Sequence, residues 1–187
     1  EYPRAMTDRR RVPIDEKGMP VRKEDVGADA EGCECPRLDR EGWDGVESDW
    51  SDITFVKTMT NAVLGVPVGY DGARDELRRK AAKAGGTIPQ DAMLLNGRGR
   101  FRRPVMLEVE GVAADSEVER PGGVAYTRIF EAPWGQLGKV AEETEREAEA
   151  KYGRKPDAIW IWYLTCRYCS KARNFETLVA AHFGRPR

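Results

Sequence analysis

Histidine is almost missing from this sequence, in which His182 is the only one among 187 residues. This near-absence excludes catalytic arrangements that need several histidines and disfavours Ser-His-Asp or Cys-His nucleophilic catalysis. Because His182 lies at the end of the last predicted strand, we interpret it as a surface or capping residue. The sequence also lacks a GxGxxG motif, a P-loop and an HExxH motif, so no familiar nucleotide or catalytic zinc site is indicated.

The sequence also has no excess of positive or negative charge and no long hydrophobic run. The 31 Lys and Arg residues balance 32 Asp and Glu residues, which leaves a formal net charge of −1. Global charge therefore does not favour nucleic acid or an anionic membrane as a partner. No apolar run approaches the roughly 20 residues of a membrane helix, and no signal-peptide pattern opens the chain. We expect a cytoplasmic protein without nucleic-acid or membrane partners.

One local basic cluster contrasts with this balance and comprises Arg98, Arg100, Arg102 and Arg103. Phe101 is the only aromatic residue among these arginines, so the cluster lacks the several aromatic rings on which nucleic-acid bases stack. A turn with a solvated edge is the favoured interpretation of the cluster. A phosphate-binding site is the alternative.

The first fifty residues (1–50) differ in composition from the rest. Residues 9–32 are polar, densely charged and without apolar periodicity, which predicts an arm or an irregular wrap. Trp43 and Trp50 follow among acidic and glycine neighbours, so we expect the arm to be packed onto the body of the protein. Residues 1–5 precede the first methionine, and we expect them to derive from an expression vector.

The rest of the chain (51–187) shows the order strand, helix, strand, strand twice, over residues 53–111 and over residues 122–184. The first half has predicted strands at 53–59, 93–95 and 105–109, a turn at Asn96-Gly97, and a helix that begins at Asp71 and ends at Gly85-Gly86. The second half has predicted strands at 124–130, 158–165 and 175–183 and a helix over 137–152. The two halves share few identical residues, so the duplication is inferred from the pattern.

Each βαββ unit is too small to bury its helix and its strands alone. We therefore predict an α+β fold in which two βαββ units form an antiparallel sheet with two packed helices. The seam between the units forms a groove in this arrangement. A small-molecule ligand is expected in that groove.

The second half resembles a GyrI-like domain. The residues that carry the resemblance are Ala-Pro-Trp-Gly-Gln-Leu at 132–137 before the helix, the closing strand 175–179, and the segment 162–171, which resembles a cysteine-bearing branch of that family. The resemblance covers about residues 50–187. It implies an effector-binding type of fold and a stand-alone small-molecule binder, with a hydrolase of a reactive small molecule as the alternative.

Two glutamates are candidate groove residues. Strand alternation places Glu108 on the face of Met106 and Glu176 on the face of Leu178. If the halves are related by a pseudo-twofold axis, both carboxylates flank the groove, where apolar surroundings raise a carboxyl pKa. Each is then able to pair with a cationic ligand, and in the hydrolase alternative Glu176 acts as general base with Tyr126 as acid. The other interpretation is an edge-strand glutamate in water.

Four aromatic residues of the second half are predicted to line the same groove, namely Tyr126, Trp134, Trp160 and Trp162. Flat faces beside a carboxylate suit a planar or cationic organic ligand, with stacking and cation–π contacts worth roughly 0.5–2 kcal/mol each. Core packing under the helices is the competing interpretation of these rings.

The four cysteines occur in two close pairs, Cys33-x-Cys35 and Cys166-x-x-Cys169. Without an export signal, thiols or metal ligands are expected rather than disulfides. Tetrahedral zinc is bound by two such pairs, and four thiolate ligands would close the site and make it structural. Independent thiols or a redox CxxC are the alternatives. A zinc-stapled protein whose arm docks a partner is a third hypothesis for the function.

Overall fold

An eight-stranded antiparallel sheet is the centre of the fold. The computed structural model describes residues 35–63, 66–114, 116–166 and 169–184, and the strand count refers to these residues. The strands are β1 (Val46–Asp49), β2 (Thr54–Val63), β3 (Val66–Val68), β4 (Leu94–Gly97), β5 (Arg102–Val109), β6 (Val124–Glu131), β7 (Ala158–Tyr163) and β8 (Glu176–Phe183). Their order in the sheet is β1-β6-β8-β7-β4-β5-β2-β3. The predicted α+β class with an antiparallel sheet is confirmed.

Two long helices, α2 (Tyr70–Lys83) and α3 (Leu137–Tyr152), pack on one face of this sheet. The apolar stripe of α2 packs on β2 and β5, and that of α3 packs on β6, β7 and β8. Since α2 contacts mainly β2 and β5 while α3 contacts β6, β7 and β8, we call the surface of β4 and β7 between the two helices the interhelical groove. Within the described ranges, no helix is long and apolar enough to cross a membrane.

The opposite face of the sheet is covered by the N-terminal segment, which contains α1 (Arg40–Trp43) and β1. Trp43 and Trp50 are 2% and 1% exposed and belong to the same buried cluster as Trp160 and Trp162. We call this cluster the arm-side core. Residues 35–50 of the predicted arm thus pack on the sheet, and residues 1–34 lie outside the described residues.

The sequence predicted the long helices and the strands of the two halves close to their observed bounds, with two local differences, but it did not predict α1, β1 or β3. Asn96-Gly97 lies within β4 rather than in a turn, because Gly97 pairs with Trp160 of β7. A Cβ atom at Gly97 would lie 2.5 Å from the Pro104 ring, so the close approach of two strands requires glycine there. The N-cap of α2 is Gly69, with a φ of 74° that favours glycine, rather than Asp71.

The two halves of the body follow the same order of elements. The first half contains β2, α2, β4 and β5, and the second contains β6, α3, β7 and β8. The halves meet where β4 pairs with β7. That the halves are copies of one unit stays a prediction.

His182 is buried rather than a surface or capping residue. It is 7% exposed, its ring stacks on Trp50 with 5.1 Å between ring centroids, and its Nε2 atom lies 2.8 Å from the carbonyl oxygen of Gly122. The strand pattern alone did not indicate this burial, because the residue that covers His182 comes from the arm.

We expect the burial of His182 to make the protein less stable in mild acid. Burial lowers the pKa of this imidazole, which outweighs the hydrogen bond to Gly122 and the nearby Asp157, both of which raise it. As the pH falls below about 6.5, the unfolded chain gains a proton that the folded chain does not bind, so the folded state loses stability down to the lowered pKa. His182→Gln should reduce the loss of Tm between pH 7.5 and pH 5.5. Equal losses in both proteins would contradict this account.

Candidate active site and cysteine cluster

Asn96 of β4 lies on the floor of the interhelical groove and is 2% exposed. Its Nδ2 atom lies within hydrogen-bond distance of the carbonyl oxygens of Leu94 (3.5 Å) and Ile161 (3.3 Å) and of the Tyr70 hydroxyl (3.3 Å). Carbonyl oxygens only accept, so the amide nitrogen must face them. The Oδ1 atom has no hydrogen-bond partner among the described residues. A buried acceptor left unsatisfied costs roughly 1–3 kcal/mol, and such costs are typical of functional residues.

Tyr70, the first residue of α2, supplies the first hydroxyl of the groove. Its oxygen accepts the hydrogen bond from Asn96, so its own hydrogen remains available to donate. Burial raises the pKa of Tyr70, and the Asn96 hydrogen bond opposes this only in part. The phenol therefore stays protonated at neutral pH as a hydrogen-bond donor.

Tyr163, the last residue of β7, supplies the second hydroxyl. Burial raises the pKa of Tyr163, while the charge and hydrogen bond of Arg103 lower it to a smaller extent. An arginine only donates, so the Tyr163 oxygen is the acceptor and its hydrogen is also available to donate. The two phenols lie close enough for their charges to interact. Each is thus a protonated donor whose oxygen accepts a hydrogen bond from the protein.

Trp134 forms an aromatic wall of the groove. It lies in a single 3₁₀ turn, residues 134–136, directly before α3. Its ring stacks on Tyr163 with 5.1 Å between centroids and an interplanar angle of 14°, while 60% of the residue is exposed. Of the predicted ligand-binding aromatics, Trp134 is the one that the structure places at the groove.

The arginine cluster is divided between the groove and solvent. Arg98 forms an ion pair with Glu145 of α3 at 2.7 Å, and Arg100 lies over the Phe101 ring. Arg102 is exposed and alternates with Arg103, so the two side chains lie on opposite faces of β5. The predicted solvated turn therefore describes Arg98 and Arg100, whereas Arg102 and Arg103 lie in β5 and Arg103 faces the groove.

Glu108 and Glu176 do not flank the groove. They lie on the face opposite the helices, on β5 and β8, with β4 and β7 between them, which is a separation of about 14 Å. Met93 and Leu164, at 2% and 0% exposed, fill that interval as part of the arm-side core. Glu108 is itself buried and accepts a hydrogen bond from the Met93 amide at 3.2 Å. Strand alternation was predicted correctly, but the groove lies on the other face.

The predicted general base and acid are also separated. The Glu176 carboxylate pairs with Arg173 and lies 3.6 Å from Arg40. The Tyr126 hydroxyl lies on the helix side of the sheet and donates to Glu147 at 3.2 Å. Because Glu176 and Tyr126 point to opposite faces, they cannot act on the same atom.

Trp160 and Trp162 belong to the arm-side core and do not line the groove. They are 9% and 3% exposed, and Trp162 meets the Trp43 ring edge-on with 5.9 Å between centroids. The competing interpretation of these rings, core packing, describes them, although they pack under the arm rather than under the helices.

Three of the four cysteines form a compact cluster. The sulfur atoms of Cys35, Cys166 and Cys169 all lie within 4.8 Å of one another. Cys169 is 1% exposed, and the backbone N–H of Cys166 donates to the sulfur of Cys35 at 2.9 Å. Cys33 lies outside the described residues. The cluster is a candidate metal site that joins the arm to the loop between β7 and β8.

Arg173 reinforces the same junction. Its guanidinium donates to the carbonyl oxygens of Leu164 at 3.0 Å and Pro36 at 2.9 Å and pairs with Glu176. The arm residue next to Cys35 is therefore tied to the loop by side-chain hydrogen bonds as well as by the cysteines. Glu176 acts here as the counter-ion of a buried arginine.

The sequence reasoning missed four groove residues, which are Tyr70, Asn96, Arg103 and Tyr163. An asparagine within a short apolar strand is an unusual choice, and Asn96 follows two leucines. This was the one local signal available. Tyr163 lies on the same face of β7 as Ile159 and Ile161, but nothing in the local sequence distinguishes a groove tyrosine from one in the core.

A comparison with known protein families matches most of the chain. A family model described as "Bacterial hydrolase" matches residues 24–182, a span that holds the groove residues and all four cysteines. No curated protein matches the chain. The resemblance to GyrI-like effector-binding domains is therefore wrong as an assignment, because the family that matches is a hydrolase family.

Proposed function

Since the chain belongs to the bacterial hydrolase family, we propose that it hydrolyses a small molecule in the interhelical groove. The observation that carries this proposal is the pair of half-buried phenols, Tyr70, which accepts a hydrogen bond from Asn96, and Tyr163, which lies beside Arg103 and stacks on Trp134. A phenol that accepts a hydrogen bond becomes a stronger donor through its own O–H, because chains of hydrogen bonds polarise one another.

The chemistry that such a pair assists is the stabilisation of a developing oxyanion. In hydrolysis, water adds to an electrophilic carbon, and an oxygen bonded to that carbon gains negative charge. Donors aimed at this oxygen typically contribute about 3–4 kcal/mol each to transition-state stabilisation. Tyr70 and Tyr163 are the donors in this proposal, and Arg103 and Asn96 position and polarise them.

The position of the only histidine narrows the class of substrate. His182 stacks on Trp50 in the face opposite the groove, so an imidazole does not activate water there. The groove offers acid and oxyanion assistance rather than a strong base. We therefore infer a substrate with an intrinsically reactive electrophile, such as an activated ester, a lactone or a strained ring.

We also propose that the two halves are a duplication, which supports a site at their junction. The strand order outward from the β4–β7 pair is β4-β5-β2 in one direction and β7-β8-β6 in the other. Along the chain, the long helix of the first half lies between β2 and β4, and that of the second half lies between β6 and β7. A duplication of one βαββ unit accounts for this symmetry and for a groove at the seam.

A second proposal concerns the cysteine cluster, which we propose binds structural zinc. Zinc–sulfur bonds of about 2.3 Å in a tetrahedron place sulfurs about 3.8 Å apart, within the observed limit of 4.8 Å. The N–H donated to Cys35 is the type of contact that orients and stabilises a thiolate ligand. Cys33, two residues before Cys35, is the fourth thiol that the sequence offers.

The hydrolase proposal is tested by Asn96→Leu, with 4-nitrophenyl valerate and 4-nitrophenyl hydrogen glutarate as activated esters. Leucine has a similar size, and removing an amide oxygen that is unsatisfied offsets in part the loss of the hydrogen bonds from the amide nitrogen, so Tm should change little. The hydrogen bond to Tyr70 is lost, and kcat should fall by about 10-fold or more.

Asn61→Leu, on an exposed position of β2, is the matched control and should leave kcat unchanged. A large loss of Tm in Asn96→Leu would indicate that Asn96 is structural. Unchanged turnover would remove it from the active site.

A further inference from the structure

Arg103 differs from Arg128 and Arg173, two further half-buried arginines, because it has no counter-ion among the described residues. Arg128 pairs with Asp44 and Glu147, and Arg173 pairs with Glu176. Arg103 is half-buried and has no carboxylate within ion-pair distance in the parts of the chain that are described, and its Nε atom is buried without a hydrogen-bond partner. A charge held out of water without a counter-ion is costly. Such a charge is typical of a site whose counter-ion arrives with a ligand.

Several other charged groups near the groove are offset by a group of opposite sign. Arg98 is neutralised by Glu145. Asp71 and Arg74 act in opposite directions on Tyr70, and the phenols are uncharged at neutral pH. Among the described residues Arg103 has no carboxylate within ion-pair distance, and its charge favours a negatively charged ligand over a cationic one.

We propose that Arg103 binds an anionic group of the substrate, so that the substrate is a small organic acid with a flat apolar part. The exposed face of Trp134, which stacks on the tyrosine beside Arg103, offers the surface for the flat part. The acid group is recognised and stays intact, while the reactive carbon lies by the two phenols. This inference rests on the proposed function only for the statement that the anionic ligand is also the substrate.

Binding of three matched naphthalene probes tests the charge preference without any turnover. The probes are 2-naphthoate, 2-naphthamide and 2-naphthylmethylammonium, and titration calorimetry measures their Kd values. We expect naphthoate to bind about 10-fold or more tightly than naphthamide, and the ammonium probe to bind more weakly still. Equal binding of the three probes, or preference for the ammonium probe, would overturn the proposal.

Two variants assign the preference to Arg103. Arg103→Gln should abolish the preference for naphthoate, and Arg103→Lys should retain most of it. Arg102→Gln removes the same charge from the adjacent residue on the opposite face of β5, and it should leave the preference unchanged. A similar loss in Arg102→Gln would show that the surface charge in general, and not the groove, attracts the anion.

Turnover separates this inference from the hydrolase proposal. If the anion inference holds, Arg103→Gln lowers kcat/KM for 4-nitrophenyl hydrogen glutarate, which is anionic, at least 10-fold more than for the neutral 4-nitrophenyl valerate. An equal fall for both esters would show that Arg103 only polarises Tyr163, and the inference would fail while the hydrolase proposal stands. Inert esters together with a clear preference for naphthoate would leave anion binding intact and count against the hydrolase.

Discussion

Replacing Tyr163 with phenylalanine is expected to lower kcat for the activated esters by about 100-fold, while the protein stays folded. The substitution removes the hydroxyl that donates to the developing oxyanion and keeps the ring that stacks on Trp134. Loss of one such donor typically costs 10²–10³ in kcat, or about 3–4 kcal/mol. The KM should change much less, since the ground-state oxygen carries little charge.

The two phenols should act as a unit. Tyr70→Phe is expected to resemble Tyr163→Phe, and the double variant should lose less than the product of the two single effects, because both donors serve one oxygen. Tyr126→Phe is the matched control, since its hydroxyl is bound to Glu147 outside the groove. A control that loses as much activity as Tyr163→Phe would contradict the assignment.

Loss of the cysteine cluster is expected to have the largest effect on stability. Cys169→Ser should abolish stoichiometric zinc and lower the free energy of unfolding by about 3–5 kcal/mol, which corresponds to roughly 10 °C in Tm. The physical reason is the junction described above, where Cys35 and Arg173 join the arm to the β7–β8 loop. Without that junction the arm is held mainly by Trp43, Trp50 and the pairing of β1 with β6.

Elemental analysis and thiol titration measure the outcome directly. We expect one equivalent of zinc in the purified protein, and a chelator should lower Tm in a way that added zinc restores. Cys33→Ser should behave like Cys169→Ser if Cys33 is the fourth ligand. Less than a tenth of an equivalent of zinc, with all four thiols titratable in the folded protein, would contradict the zinc proposal.

The local elements were predictable because their signals are local. The periodicity of α2 and α3 and the β-branched runs depend only on neighbours in the chain, and the predicted ranges agree with the structure to within a few residues at most ends. The convergence of Cys35 with Cys166 and Cys169 agrees with the metal-site interpretation, which was one of the alternatives that the paired cysteines offered.

The location of the groove was not predictable in the same way. Alternation along β5 and β8 separates two sets of side chains but does not say which set the helices cover. The helices cover one face because the tryptophans of the arm cover the other, which carries Glu108, Trp160 and Trp162. Trp43 and Trp50 indicated that the arm packs on the body, but not which face of the sheet it covers. The groove also combines side chains from α2, β4, β5 and β7, which only the three-dimensional structure brings together.

The pairing of β1 with β6 has a consequence for how the chain folds. Val46 pairs with Thr127, so β1, the first of the described strands, forms its contacts only after about 80 further residues have emerged. Contacts of such high sequence separation form slowly, because a long loop must close before they are gained. Until then the two tryptophans of β7 and the outer edge of β6 are uncovered, which favours association between chains. The arm thus covers the sheet only late in folding. We expect slow docking of the arm to lower the yield of native protein when the chain refolds at high concentration.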